Sequence, residues 1–136
     1  MKAKHFLIAL TLLLFVLGCK KNPFDYRTKY IGKWNFTVHQ KSWTLNNGFN
    51  NDTTYQTVGT IKYGSESNEL NFHPYENPEY KYVIILTKTD SLIGKVTDAH
   101  QSGTGKFLSK KEVKFTFKAI YLGGGWINDI TGKKVK

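Results

Sequence analysis

Val113-Lys114-Phe115-Thr116-Phe117-Lys118-Ala119-Ile120-Tyr121 decides the fold class of this chain. Val113, Phe115, Phe117, Ala119 and Tyr121 fall on one side of an extended backbone, with Lys114, Thr116 and Lys118 on the other. Successive side chains of a strand point to opposite faces, so this is the pattern of a half-buried antiparallel strand. The same period of two recurs in Trp34, Phe36 and Val38 against Asn35, Thr37 and His39, and in Leu70 and Phe72 around Asn71. Tyr82, Ile84 and Leu86 form another row, with Val83 and Ile85 opposite, a strand covered on both sides. From Tyr30 onward no stretch keeps helical periodicity.

Turn residues separate these runs: Asn46-Asn47-Gly48, Gly64-Ser65, Pro74 to Pro78, Thr89-Asp90, Ser102-Gly103, Ser109-Lys110-Lys111 and Gly123-Gly124-Gly125. Strands are expected near 33–41, 54–63, 69–73, 80–88, 91–98, 103–109, 112–122 and 125–131, joined by short links as in a meander. Eight such strands close into an antiparallel up-and-down barrel, which is either filled by side chains or holds one small ligand. A β-sandwich is the alternative. Gly59, Gly94 and Gly105 inside strands suit sharp bends of a closing sheet. The stretch 42–53 reads as the longest irregular piece, a loop over one end.

Outward from the strands, the N-terminus is of another kind. Lys2 and Lys4 precede Phe6–Leu17, an apolar run broken only by Thr11, and Gly18-Cys19 ends it. Twelve helical residues rise about 18 Å, too short for the roughly 30 Å hydrocarbon core of a bilayer. The order of cationic start, apolar run and small residue is that of a secretory signal peptide, expected to end at Gly18. It holds thirteen of the 54 apolar residues and only two of the 20 aromatics, so enough apolar material for one core remains after it. Residues 19–29 are polar and contain Pro23, which suits a tether. The domain is then expected over 30–136.

Val16-Leu17-Gly18-Cys19 resembles the bacterial lipobox. The resemblance implies cleavage before Cys19, a diacylglyceryl group on its thiol and acylation of its amine, hence a lipid anchor in the cell envelope. Lys20 is not the aspartate that marks inner-membrane retention in enterobacteria, so an outer-membrane address is implied. Tyr30-Ile31-Gly32-Lys33-Trp34 resembles the glycine–any–tryptophan signature that opens the first strand of lipocalins. Together with the strand count, the chain is similar to small lipocalin-like lipoproteins of Bacteroidota. The family pattern implies that Trp34 plugs the closed end of the barrel beside Gly32, with Lys133 or Lys134 as the cation packed over it.

Little in the mature part suggests catalysis. Glu66, Glu69, Glu76 and Glu79 cluster around turn residues, where solvated carboxylates are expected. His39, His73 and His100 lack the short spacing of metal ligands, and neither a nucleophile elbow nor a phosphate-binding loop leading into a helix occurs. No enzyme activity, metal or cofactor is expected. A single cysteine excludes a disulfide scaffold. The formal charge of +10, or +8 after Lys2 and Lys4 are removed, would fit a nucleic-acid footprint elsewhere. An envelope address argues against that partner and leaves anionic headgroups or a plain solvated surface. Trp43, Phe49, Tyr55 and Trp126, in or beside loops, are the candidate contacts to a ligand or glycan. Two functions follow: enclosure of a small apolar or amphipathic molecule by a monomer, or an interaction module that meets a glycan or partner protein through loop aromatics and lysines.

Overall fold

The computed structural model describes residues 25–45, 48–75, 80–95 and 100–136, with the backbone alone at 48–50. The expected signal peptide, with Gly18 and Cys19, and the start of the expected tether lie outside the described residues. After a 3₁₀ turn at Thr28–Tyr30, eight strands follow: β1 (Gly32–Thr44), β2 (Gly48–Tyr63), β3 (Glu69–His73), β4 (Tyr82–Leu86), β5 (Ser91–Gly94), β6 (Gln101–Ser109), β7 (Glu112–Tyr121) and β8 (Gly124–Lys134). Each pairs antiparallel with the next, and β8 returns to β1 in a continuous register from Trp34↔Lys134 to Thr44↔Gly124. The sheet is a closed eight-stranded up-and-down barrel, not a sandwich. All the described pairing and packing lies within residues 25–136.

The period of two sets the interior. Trp34, Phe36 and Val38 of β1, Phe115 and Phe117 of β7, and Ile130 of β8 are buried among Ile61, Phe72, Ile84 and Leu92 from the opposite wall. Rings meet at the base: Tyr30 stacks on Phe107 with centroids 3.5 Å apart, and Trp34 lies 5.9 Å from the same ring. Glycines make room for them. A Cβ on Gly103 would stand 2.6 Å from Phe117 and 3.1 Å from the Cα of Gly94, so the facing pair Gly94–Gly103 admits the Phe117 ring.

The base is tied shut by the chain that enters it. The indole Nε1 of Trp34 donates to the Tyr30 carbonyl at 2.9 Å. Lys134 joins the base through a hydrogen bond, its Nζ donating to the Lys29 carbonyl at 2.9 Å, whereas Lys133 is exposed. Residues 25–29, expected as tether, belong to the folded base. Arg27, buried, donates to the carbonyls of Glu66 and Glu69 and is paired with Asp25 at 2.6 Å. Tyr26 donates to the Leu86 carbonyl at 3.1 Å, and Lys29 meets Asp90 at the same distance. Asp90 holds a left-handed φ of 61° in the β4–β5 turn, a conformation aspartate tolerates better than most residues.

Two expectations need correction. The stretch 42–53 is no loop: β1 runs to Thr44 and β2 starts at Gly48, with Trp43 opposite Phe49 after a bulge at Ser42/Trp43. Residues 39–44 of β1 and 51–57 of β2 are half-buried or exposed on both faces, which erases the apolar alternation but not the ladder. Glu69 is not a solvated carboxylate. It is buried under Lys95 and Ser65, and their hydrogen bonds hold its carboxyl down to about 2.

Removal of the Trp34 ring takes out the center of the base and the Tyr30 bond together. Trp34→Ala is expected to cost about 3–5 kcal/mol, seen as a Tm lower by on the order of 10 °C or more. An unchanged Tm would mean the ring does not hold the base.

Candidate functional site

The barrel walls differ in height. β1 and β2 have 13 and 16 residues, whereas β3, β4 and β5 have 5, 5 and 4. Above Thr60, β2 keeps its β1 ladder, while its β3 partner ends at His73. A mouth therefore opens on one side of the barrel, opposite the plugged base. Above the packed rings the inward positions turn polar: Gln40 and Ser42 of β1, Gln101 of β6 and Asn128 of β8 line an open-mouthed hollow of about 970 Å³. Phe117, Trp126 and Tyr82 wall it, and Tyr55, Tyr75 and Tyr80 complete the low side.

The ring stack continues into this hollow. Tyr82 lies 4.4 Å from Phe117 between centroids, and Phe117 stacks on Trp126 at 5.6 Å. Tyr75, just after β3, turns its ring against Tyr55 at 6.4 Å and meets Tyr80 edge-on at 6.2 Å. Tyrosine is suited to such a place, because it joins apolar area to a hydroxyl that needs a partner.

The hydroxyls form one network. Tyr75, packed against the Tyr55 ring, lies 3.4 Å from the Tyr82 oxygen, and Asn128 Nδ2 donates to Tyr82 at 2.9 Å and to Tyr75 at 3.3 Å. Burial pushes all three phenols above their ordinary value, so they stay neutral donors and acceptors at physiological pH. Asn128 is buried, yet its Oδ1 meets no hydrogen-bond partner among the described residues. An unpaired buried amide oxygen costs about 1–3 kcal/mol. That acceptor sits in the wall of this hollow, with its amide buried. A larger depression, about 1090 Å³, runs along the outer face of β1, β2, β7 and β8. Asn35, Lys114 and Thr131 there are exposed, and although Tyr55 and Tyr75 border it too, Asn128 does not.

Of the aromatic residues singled out from sequence, Tyr55 and Trp126 come together in the hollow. Trp43 does not. It lies on the outer face, where its ring covers Gly125; a Cβ there would stand 2.7 Å from it. The Phe49 side chain lies outside the described residues. Sequence reasoning placed Tyr82 in the core and passed over Tyr75 and Asn128. The β8 alternation Trp126, Asn128, Ile130 carries a readable sign of the last, an amide on the inward row. The three histidines do not converge, and no group of metal-binding side chains occurs among the described residues. His39 instead pairs with Asp52 at 2.6 Å on the outer face.

Neither a family model nor a curated protein matches the chain. Among solved structures it is similar to a protein of unknown function of the DUF3598 family from Nostoc punctiforme. Identity is 10% and the TM-score 0.51, over 79% of this chain and 48% of that one. The chain thus spans about half the length of that relative, and the likeness is one of fold. It also resembles the ywiB protein of Bacillus subtilis at 12% identity and a TM-score of 0.40, over 82% and 99% of the two chains.

The three raised phenols give an alkaline signature. Their native forms keep the proton where unfolded tyrosines lose it, so stability they supply is complete below pH 10 and falls as pH rises beyond it. In a titration followed by phenolate absorbance, replacing Tyr55, Tyr75 and Tyr82 by Phe is expected to leave the step near pH 10 unchanged. A smaller step would place these hydroxyls in ordinary solvent.

Proposed function

We propose that this chain is a lipid-anchored bacterial envelope protein, similar to the lipocalin-like lipoproteins of Bacteroidota, that binds a small amphipathic molecule without chemical change. The observation that carries the binding reading is the unpaired Oδ1 of Asn128, buried beside three neutral phenols under an aromatic wall. Small-molecule sites are concave and mostly apolar, with few polar groups fixing orientation. The mouth has that composition. Phe117, Trp126 and Tyr82 would cover a flat or apolar body, and Asn128 would accept a hydrogen bond from an N–H or O–H on it. Gln40, Ser42 and Gln101 at the rim suit a polar end left toward water. Amides and neutral phenols position a ligand rather than attack it, which supports carriage over turnover. The filled base favors enclosure at the mouth alone, so the ligand occupies the upper part of the barrel.

The anchor reading rests on residues 1–19 and has its own test. Cys19→Ala is expected to abolish labeling by a fatty-acid analogue and to leave an uncleaved precursor. Labeling that persists would overturn the anchor.

For the pocket, the probe is N-phenylnaphthylamine, an apolar aromatic molecule with one N–H. Its fluorescence in the presence of residues 20–136 is expected to rise on binding and to quench Trp126. Asn128→Leu should weaken binding roughly 10-fold or more, with a modestly lower Tm because the Nδ2 bonds to Tyr82 and Tyr75 go with the unpaired oxygen. Trp126→Ala should weaken binding without loss of the base. Affinity indifferent to both substitutions would remove the mouth as the site.

A further inference from the structure

We propose that the closed end of the barrel is a cationic docking face for an anionic lipid bilayer, set so that the mouth opens away from the membrane. The fold sorts the charge. Lys33 starts β1, Lys62 ends β2, Lys88 follows β4, Lys110 and Lys111 form the β6–β7 turn, and Lys133 ends β8, all exposed at the base. The acids of that end do not balance them. Asp25 is taken by Arg27, Asp90 by Lys29 and Glu69 by Lys95, which leaves Glu66 and Glu112 as the exposed carboxylates there.

Two further features point to a lipid surface. Lys106 and Lys114 stand directly opposite each other across β6 and β7. Like charges so placed work against a sheet, and a facing layer of anions relieves them. Leu108, 61% exposed, stands among these lysines and offers an apolar contact to the interface. At the other end Lys41 has Asp52 at 3.9 Å and Lys95 is drawn to Glu69, which leaves Lys81 and Lys118 as the unpaired exposed lysines of the mouth half among the described residues, against six at the base.

Chain direction supplies the orientation, which rests on the lipid-anchor reading. The described chain enters at Asp25, in the base. Cys19 precedes it by six residues, a reach of at most about 20 Å, and Lys20 and Lys21 lie between. A lipid on Cys19 therefore holds the lysine-rich end, not the mouth, near the headgroups, where each lysine contributes to binding within about a Debye length.

The test uses residues 20–136, which contain the whole closed barrel and no cysteine. Cosedimentation is expected with vesicles of equal phosphatidylcholine and phosphatidylglycerol, weakening with salt, and not with phosphatidylcholine alone. Lys110→Glu, Lys111→Glu and Lys133→Glu together should reduce binding at least about 100-fold. Lys41→Glu, Lys81→Glu and Lys118→Glu, in the mouth half, should change it less than about threefold. An environment-sensitive dye on Lys111→Cys should shift to the blue on vesicles, and the same dye on Leu45→Cys should not. Equal loss in both triple variants, equal shifts of both dyes, or binding to heparin but not to vesicles would each overturn the proposal. Cys19 plays no part in these measurements, so a failed anchor and a failed docking face are separately visible.

Discussion

The ladder between the first and last strands is the constraint on which the rest depends. Trp34 to Thr44 of β1 pair with Lys134 to Gly124 of β8, and without that register the other strands form an open, strongly twisted sheet. Closure brings Trp34 beside Lys134 and sets both against the entering turn, whose Tyr30 and Lys29 carbonyls receive their donors. One seam therefore closes the sheet and plugs its end. The straps from Tyr26, Arg27 and Lys29 then tie the β2–β3 and β4–β5 turns to the same entering segment. Because closure fixes which side chains face inward, it also decides where Asn128 and Trp126 meet the tyrosines of the low wall.

The strands whose one face is apolar and whose other is polar were legible in the sequence. β7 is the clearest, and its Phe115 and Phe117 lie in the core where the alternation places them. Legibility ends where the interior itself becomes polar. In the upper half of β1, Gln40 and Ser42 face the hollow while His39 and Lys41 face water, so the pattern of two vanishes although the ladder continues. The same cause hid the site, since an amphipathic pocket lacks the hydrophobic alternation by which strands are recognized. Tyr82 was readable as inward but not as the partner of Asn128, because 46 residues separate them. Glu69 is a related case: only folding brings Lys95 onto it, 26 residues away in sequence.

Short strands and the mouth are one feature seen twice. The five residues of β3 and β4 and the four of β5 span the filled base and stop, and their ladders with one another end near Phe72, Tyr82 and Gly94. Beyond the end of the β2–β3 ladder Tyr75 meets β2 with a side chain, its ring packed against Tyr55. A wall of side chains is more adjustable than a ladder. Its rings can shift by rotation about χ1 and χ2 without breaking backbone hydrogen bonds, which would suit the binding role proposed for the hollow.

The two ends of the barrel thus solve different physical problems. At the base, Asp25, Glu69 and Asp90 are each paired with a cation, and among the described residues the exposed charge left there is mostly lysine, with Glu66 and Glu112 the exposed acids. Opposed Lys106 and Lys114 are a local cost that a free-standing barrel gains nothing by carrying, whereas beside an anionic surface the same pair becomes favorable. At the mouth the unbalanced group is an amide oxygen held out of water, a cost that a hydrogen-bonding ligand would relieve. Both excesses sit at the ends of a rigid, edge-closed sheet, and that separation lets one face be occupied without obstructing the other.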